Sequence, residues 1–130
     1  MLKKFLFADL DDTLFQSGRK CPEGSPLTPM AYLKDGTAHS FATKAQKSFL
    51  MLMQQEMTVI PVTARNADAF SRVRWPFTNG AVINYGGIIL KSDGAVDEGW
   101  LAQSRTQAAQ TLSMLEHVSG VLQSIADSLC

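Results

Sequence analysis

The order of apolar runs along the chain predicts an α/β domain, a parallel sheet with helical crossovers. Three observations carry this. First, Phe5-Leu6-Phe7-Ala8, Val59-Ile60-Pro61-Val62 and Ala81-Val82-Ile83 are short continuous apolar runs, the pattern of strands buried on both faces. Second, a helical apolar period separates the first two runs, as a crossover requires. Third, 130 residues with 45% apolar and 18% charged content suffice for one core and exclude a disordered chain.

The elements follow in order. Phe5–Ala8 is the first strand. Gln16 to Ser40 is rich in Gly, Pro, Ser and Lys, too long for an ordinary connector, and such excursions are functional or carry structure of their own. Within it Met30–Leu33 and Thr37–Phe41 flank Lys34-Asp35-Gly36, which predicts a hairpin turning at Asp-Gly. Thr43 with Gln46 has capping-box spacing and opens a helix. Its predicted inner face is Ala45, Phe49, Leu52, Met53 and Met57. Thr58–Val62 is the second strand, ending at Thr63-Ala64-Arg65-Asn66. A short helix over about 67–73 stops at Trp75-Pro76. Gly80–Asn84 is the third strand, Gly86-Gly87 a bend, and Ile88–Leu90 a return strand. A long amphipathic helix starts near Asp97 and carries Leu101, Ala108, Leu112, Leu115, Val121, Leu122, Ile125 and Leu129, with Gly120 as a predicted interruption. The division is residues 1–100 as the α/β core and 101–130 as a helical segment.

Twelve basic residues balance twelve acidic ones, with no basic tract for nucleic acid and no acidic tail. The first apolar run stops after four residues, short of the roughly 7–15 of a secretory signal. No segment approaches the ~18 apolar residues of a membrane span, so no membrane partner is expected. Cys21 and Cys130 stand far apart without a zinc pattern and read as free thiols of a cytoplasmic protein.

The one clustered charge is Asp9, Asp11 and Asp12, directly behind the first strand. Asp is common in turns, and a solvated acidic turn is the plain alternative. At the end of a buried strand, however, three carboxylates call for a cation or a proton. Ligands in open α/β sheets bind beyond the carboxyl ends of the strands, and Thr63 stands past the end of the second. One carboxylate can attack phosphorus, the other can move the proton, and Mg²⁺ suits an oxygen-rich site. Backbone N–H groups of the turn after Asp9 can hold phosphoryl oxygens, and Thr13 can fix the turn. Thr63 read alone is equally a helix cap, and Arg65 equally a surface ion-pair residue.

The apolar strand followed by Asp9-Leu10-Asp11-Asp12-Thr13-Leu14, with Thr58–Thr63, Ala64-Arg65, Thr78-Asn79-Gly80-Ala81, Gly86-Gly87 and Ser92-Asp93-Gly94, resembles the N-terminal part of haloacid dehalogenase-like phosphohydrolases. The similarity extends from Phe5 to Trp100 and points to the branch whose cap follows the third strand, which includes sugar-phosphate phosphatases. It implies a Rossmann-like core with residues 101–130 starting the cap. It also implies a Mg²⁺-dependent hydrolase of a small phosphorylated metabolite, working through an aspartyl phosphate. Asp9 is then nucleophile and metal ligand. Asp11 is the general acid/base, and its carbonyl ligates Mg²⁺. Thr63 binds the phosphoryl group, and Arg65 and Asn79 contact substrate or cap. The third-motif lysine and fourth-motif acidic pair of that family have no counterpart up to Cys130. Two alternatives follow: a catalytically weak module that binds Mg²⁺, phosphate or a partner chain, and a phosphotransferase or mutase of the same superfamily. The apolar face of the last helix is expected to drive self-association.

Overall fold

A computed structural model describes residues 2–130. The chain is mixed α/β, with a small parallel strand pair, a three-stranded antiparallel sheet, a hairpin and three helices. The strands are β1 (Phe5–Ala8), β2 (Gln16–Ser17), β3 (Leu27–Tyr32), β4 (Ala38–Thr43), β5 (Thr58–Pro61), β6 (Ala81–Ile83) and β7 (Ile88–Leu90). The helices are α1 (Lys44–Glu56), α2 (Ala67–Ser71) and α3 (Glu98–Leu129).

β1 and β5 pair in parallel, with Phe5 opposite Thr58 and Ala8 opposite Pro61. A single parallel bridge, Val62 to Val82, carries the pairing on to β6, which turns back antiparallel into β7. The first three apolar runs thus lie side by side in chain order, and their carboxyl ends point the same way.

The long excursion after β1 is ordered as a sheet in the order β2-β4-β3. Its hairpin turns where the sequence places it: Asp35 Oδ1 accepts the Thr37 N–H at 2.8 Å, and Gly36 takes φ +86. The outer side of β3 is closed by the segment after α2, through Tyr32 N–H to Arg72 O and Arg74 N–H to Met30 O.

The capping box that opens α1 is complete. Thr43 Oγ1 accepts from Gln46 N–H at 3.2 Å, and Gln46 Oε1 accepts from Thr43 N–H at 2.9 Å. Gln46 also exchanges side-chain bonds with Gln16, tying α1 to β2. This fixes the rotation of α1 and corrects its expected inner face. Leu50 is the buried residue and Met53 packs beside it, one and two turns from Gln46, whereas Phe49 and Leu52 are about half exposed at 48% and 51%. The core joins Leu50 to Ala8, Leu10, Leu14, Phe15, Met30, Ala31, Ala42 and Val59.

A second expectation fails at β1. Leu6 and Ala8 face the core, but Phe5 and Phe7 point to the other face and stay exposed. The parallel pair is therefore covered on one face only. The apolar run reads as doubly buried because Phe5 and Phe7 are apolar on the open side too.

α3 begins with Asp97 as N-cap, its carboxylate accepting from Trp100 N–H at 2.9 Å. It runs unbroken for 32 residues, about 48 Å. Gly120 does not interrupt it, since one glycine costs a helix only about 1 kcal/mol. Trp100 donates its indole N–H to Gly86 O at 2.8 Å, fastening the base of α3 to the turn before β7. No helix among the described residues is long and apolar enough to cross a membrane.

Candidate functional site

The site lies where β1 and β5 end. After Ala8 the chain folds into a tight turn organised by one carbonyl: Leu10 O accepts from the N–H groups of Thr13, Leu14 and Phe15 at 2.9–3.3 Å. Asp12 N–H bonds to Phe15 O at 2.7 Å, and Asp12 takes the left-handed conformation at φ 60. Leu10, Leu14 and Phe15 are buried and anchor this turn, leaving Asp9, Asp11, Asp12 and Thr13 at the surface. Apolar and acidic residues interleave here because the turn needs both an anchor and a rim.

The N–H groups of Asp12 to Phe15 are consumed inside this turn. Only the N–H groups of Leu10 and Asp11 stand outside the turn's own bonds.

The two outer carboxylates of the Asp-x-Asp pair have different surroundings. Asp9 accepts one bond, from Thr13 Oγ1 to Oδ2 at 3.1 Å, which links the two sides of the turn. Asp11 is gripped by Arg65: Nε donates to Oδ2 and Nη2 to Oδ1, both at 2.8 Å. The guanidinium is itself held from below. Its Nη1 donates to Ala69 O at 3.1 Å, and its carbon lies 5.6 Å from the centre of the Phe15 ring. Bidentate pairs of this kind are directional and strong. Asp12 pairs separately with Lys20 at 2.8 Å.

Thr63 is buried at 4% exposure. Its N–H bonds to Val82 O at 2.8 Å, and its Oγ1 accepts from Arg65 N–H at 3.1 Å. It is not a helix cap: Asn66 caps α2, accepting from Ala69 N–H at 2.9 Å. Neighbouring bonds, Asn84 N–H to Arg65 O and Tyr85 N–H to Thr63 O, lock the loop after β5 against the end of β6.

The fold thus brings Asp9 with Thr13 and Asp11 with Arg65, while Thr63 meets Arg65 through the backbone. Asn79 does not join them; its amide contacts only Thr78 Oγ1, at 3.5 Å, before β6. A cleft of about 280 Å³ opens beside Asp11, with Arg65, Gln16, Ser17, Arg19, Lys20 and His39 on its walls. Sequence spacing marks neither Arg19 nor Lys20, and it gives His39 no partner at metal-ligand distance along the chain. They come from the excursion after the acidic turn, where no periodicity marks them.

Among the described residues no group of three or more His, Cys, Asp or Glu side chains is placed to hold a metal ion. What the turn offers is a carboxylate with a single hydrogen-bond partner, Asp9, and, two residues on in the chain, the backbone carbonyl of Asp11. That donor set suits Mg²⁺, which commonly takes one or two protein carboxylates and fills its octahedron with water and substrate phosphate.

No family model matches the chain, and no curated protein matches it.

Proposed function

We propose that this chain is the N-terminal part of the Rossmann-like core, with the start of the cap, of a haloacid dehalogenase-like phosphomonoester hydrolase, dependent on Mg²⁺ and acting on a small phosphorylated metabolite. The observation that carries the reading is the pair Asp9 and Asp11 at the end of β1, beside buried Thr63 at the end of the parallel strand β5.

Asp9 is the nucleophile. Its carboxylate attacks phosphorus as the bond from phosphorus to the leaving oxygen breaks, which forms an aspartyl phosphate. Asp11 gives a proton to the leaving oxygen, then takes one from the water that attacks phosphorus. The second attack breaks the bond to Asp9, releases inorganic phosphate and restores the carboxylate. The N–H groups of Leu10 and Asp11 and the hydroxyl of Thr63 are the donors for the phosphoryl oxygens. Mg²⁺ would be held by the Asp9 carboxylate and the Asp11 carbonyl, and supplies neutralisation of phosphoryl charge.

Arg65 adds a condition. Both oxygens of Asp11 accept from the guanidinium, one bond each, so a proton on Asp11 sits on a lone pair that Arg65 leaves open. The pairing favours the ionised carboxylate over the protonated one that must serve the leaving group. The same clamp favours a second reading, a module that binds Mg²⁺ and phosphate but turns over slowly. A phosphotransferase would use the same Asp9 chemistry with an acceptor hydroxyl in place of water.

The test is phosphate release from a panel of small phosphomonoesters with and without Mg²⁺, for the wild type and Asp9→Asn. Mg²⁺-dependent release that falls on the order of 10³-fold or more in Asp9→Asn is expected. Equal rates in the two proteins overturn the hydrolase reading, and phosphate binding without release favours the second.

A further inference from the structure

Beyond Ser104 every residue of α3 is exposed, and the helix leaves the body as a bare rod. Its sequence is periodic in a way a solitary helix does not need. Leu101, Ala108, Leu115, Leu122 and Leu129 recur every seven residues. Ser104, Thr111, Val118 and Ile125 also recur every seven, three places behind them. A strict seven-residue repeat keeps one seam turned toward another supercoiled helix, whereas a lone helix drifts by about 20° per repeat.

The seam has two parts. At its start Leu101 and Ser104 are partly buried where α3 packs on the hairpin near Gly87 and Ile88. From Leu112 onward the same face is large, apolar and open: Leu115 is 62% exposed, Val118 47%, Leu122 61% and Ile125 51%. Residues flanking this part are Leu112, Met114, Ser119, Val121, Ala126 and Ser128, none of them charged. Glu116, His117 and Asp127 fall outside it.

We propose that this face pairs with the same face of a second copy, antiparallel, about a twofold axis near Gly120. The body decides the direction. It sits on the seam side of α3 at the helix base, so a parallel partner would put two bodies into the same space between the helices. Run antiparallel, each helix end meets the other's body and the bodies lie at opposite ends. The register then sets Leu115 against Ile125 and Val118 against Leu122, a γ-branched side chain facing a β-branched one in each layer. The contact is the same patch on both copies, as a closed twofold interface requires. Uncharged flanks bring no like-charge repulsion to the pairing of identical chains. Overlap from Thr111 to Leu129 is about 27 Å long. It covers on the order of 1,000 Å² in total, at the lower edge of specific interfaces, so the dimer dissociates on dilution. A bilayer surface is a poorer occupant, because the opposite face of the helix is not basic.

Sedimentation equilibrium of the full chain tests this, with Val118→Lys/Leu122→Lys as the variant. Both positions are exposed in the single chain, so the variant keeps its fold, which circular dichroism checks. The expected result is a monomer–dimer equilibrium for the wild type and monomer alone for the variant. A wild type that stays monomeric at hundreds of micromolar overturns the proposal, as does a variant that still dimerises. Cys130 reports direction. The antiparallel register holds the two thiols about 30 Å apart, so a short bismaleimide leaves the chains unlinked. Efficient linkage through Cys130 overturns the antiparallel arrangement.

Discussion

The body up to Asp97 and the helix that follows it obey different rules. In the body, short elements are pinned by long-range bonds: β1 to β5, Gln16 to Gln46, Arg65 to Asp11. In α3 past Ser104, polar side chains bond only within the helix, as Thr111 does to Gln107 O and Gln123 to Asp127. The body holds its side chains in defined positions because they are fixed from several sides. The helix is fixed only at its base, by Asp97, Trp100 and Leu101, and its far part is suited to contact rather than catalysis. Stability and association should therefore respond to separate substitutions.

The largest separation is expected from Leu50→Ala against Leu122→Ala. Leu50 is 1% exposed and its loss leaves a cavity, so unfolding free energy should fall by about 2–5 kcal/mol. Leu122 is 61% exposed, and its truncation in dilute monomer should change stability by about 0.5 kcal/mol or less. Urea unfolding of both variants measures the difference, and equal losses would break the comparison.

A smaller effect is expected at the start of α1. Thr43→Ala removes one arm of a complete capping box and should cost about 1 kcal/mol by the same measurement. Because Gln46 also bonds Gln16, Gln46→Ala should cost more than Thr43→Ala, loosening β2 as well as the cap. The reverse order would show that the tie between α1 and β2 contributes little.

The smallest effect is in acid. The hydrogen bond from Arg72 holds the exposed Asp68 carboxyl below its ordinary value of 3.8. A carboxyl lowered by folding contributes stability above the unfolded value and loses it as pH falls through the folded one. Between wild type and Asp68→Asn, the stability gap should therefore close below about pH 3.8. A gap that stays constant down to lower pH would remove this pair from the account.

Local rules made much of the body readable. The Asp35-Gly36 turn, the Thr43–Gln46 box and the Asp97 helix start each need only a few neighbouring residues, and each forms as its chemistry dictates. Thr13 likewise reaches Asp9 within one turn. What failed to show depends on distant partners. Arg65 meets Asp11 across 54 positions, and no spacing rule joins them. The inner face of α1 differs from the one its sequence predicts because several apolar stripes compete on a Met- and Leu-rich helix, and the bond from Gln46 to Gln16 fixes its rotation. Phe5 and Phe7 satisfy the pattern of a buried strand while facing outward, since apolarity alone does not reveal how many layers cover a sheet. The Asp-x-Asp spacing placed both carboxylates at the end of β1, but their unequal partners came only from the fold.

The two tryptophans divide along the same line. Trp75 lies partly buried in the body, its indole bonded to Gln54, and Trp100 stands at the foot of α3, bonded to Gly86. The protein therefore carries two native fluorophores in different settings, one reporting the packed domain and one the helix root. With Trp75→Phe or Trp100→Phe, emission from the remaining indole follows melting of either part on its own, without an added dye.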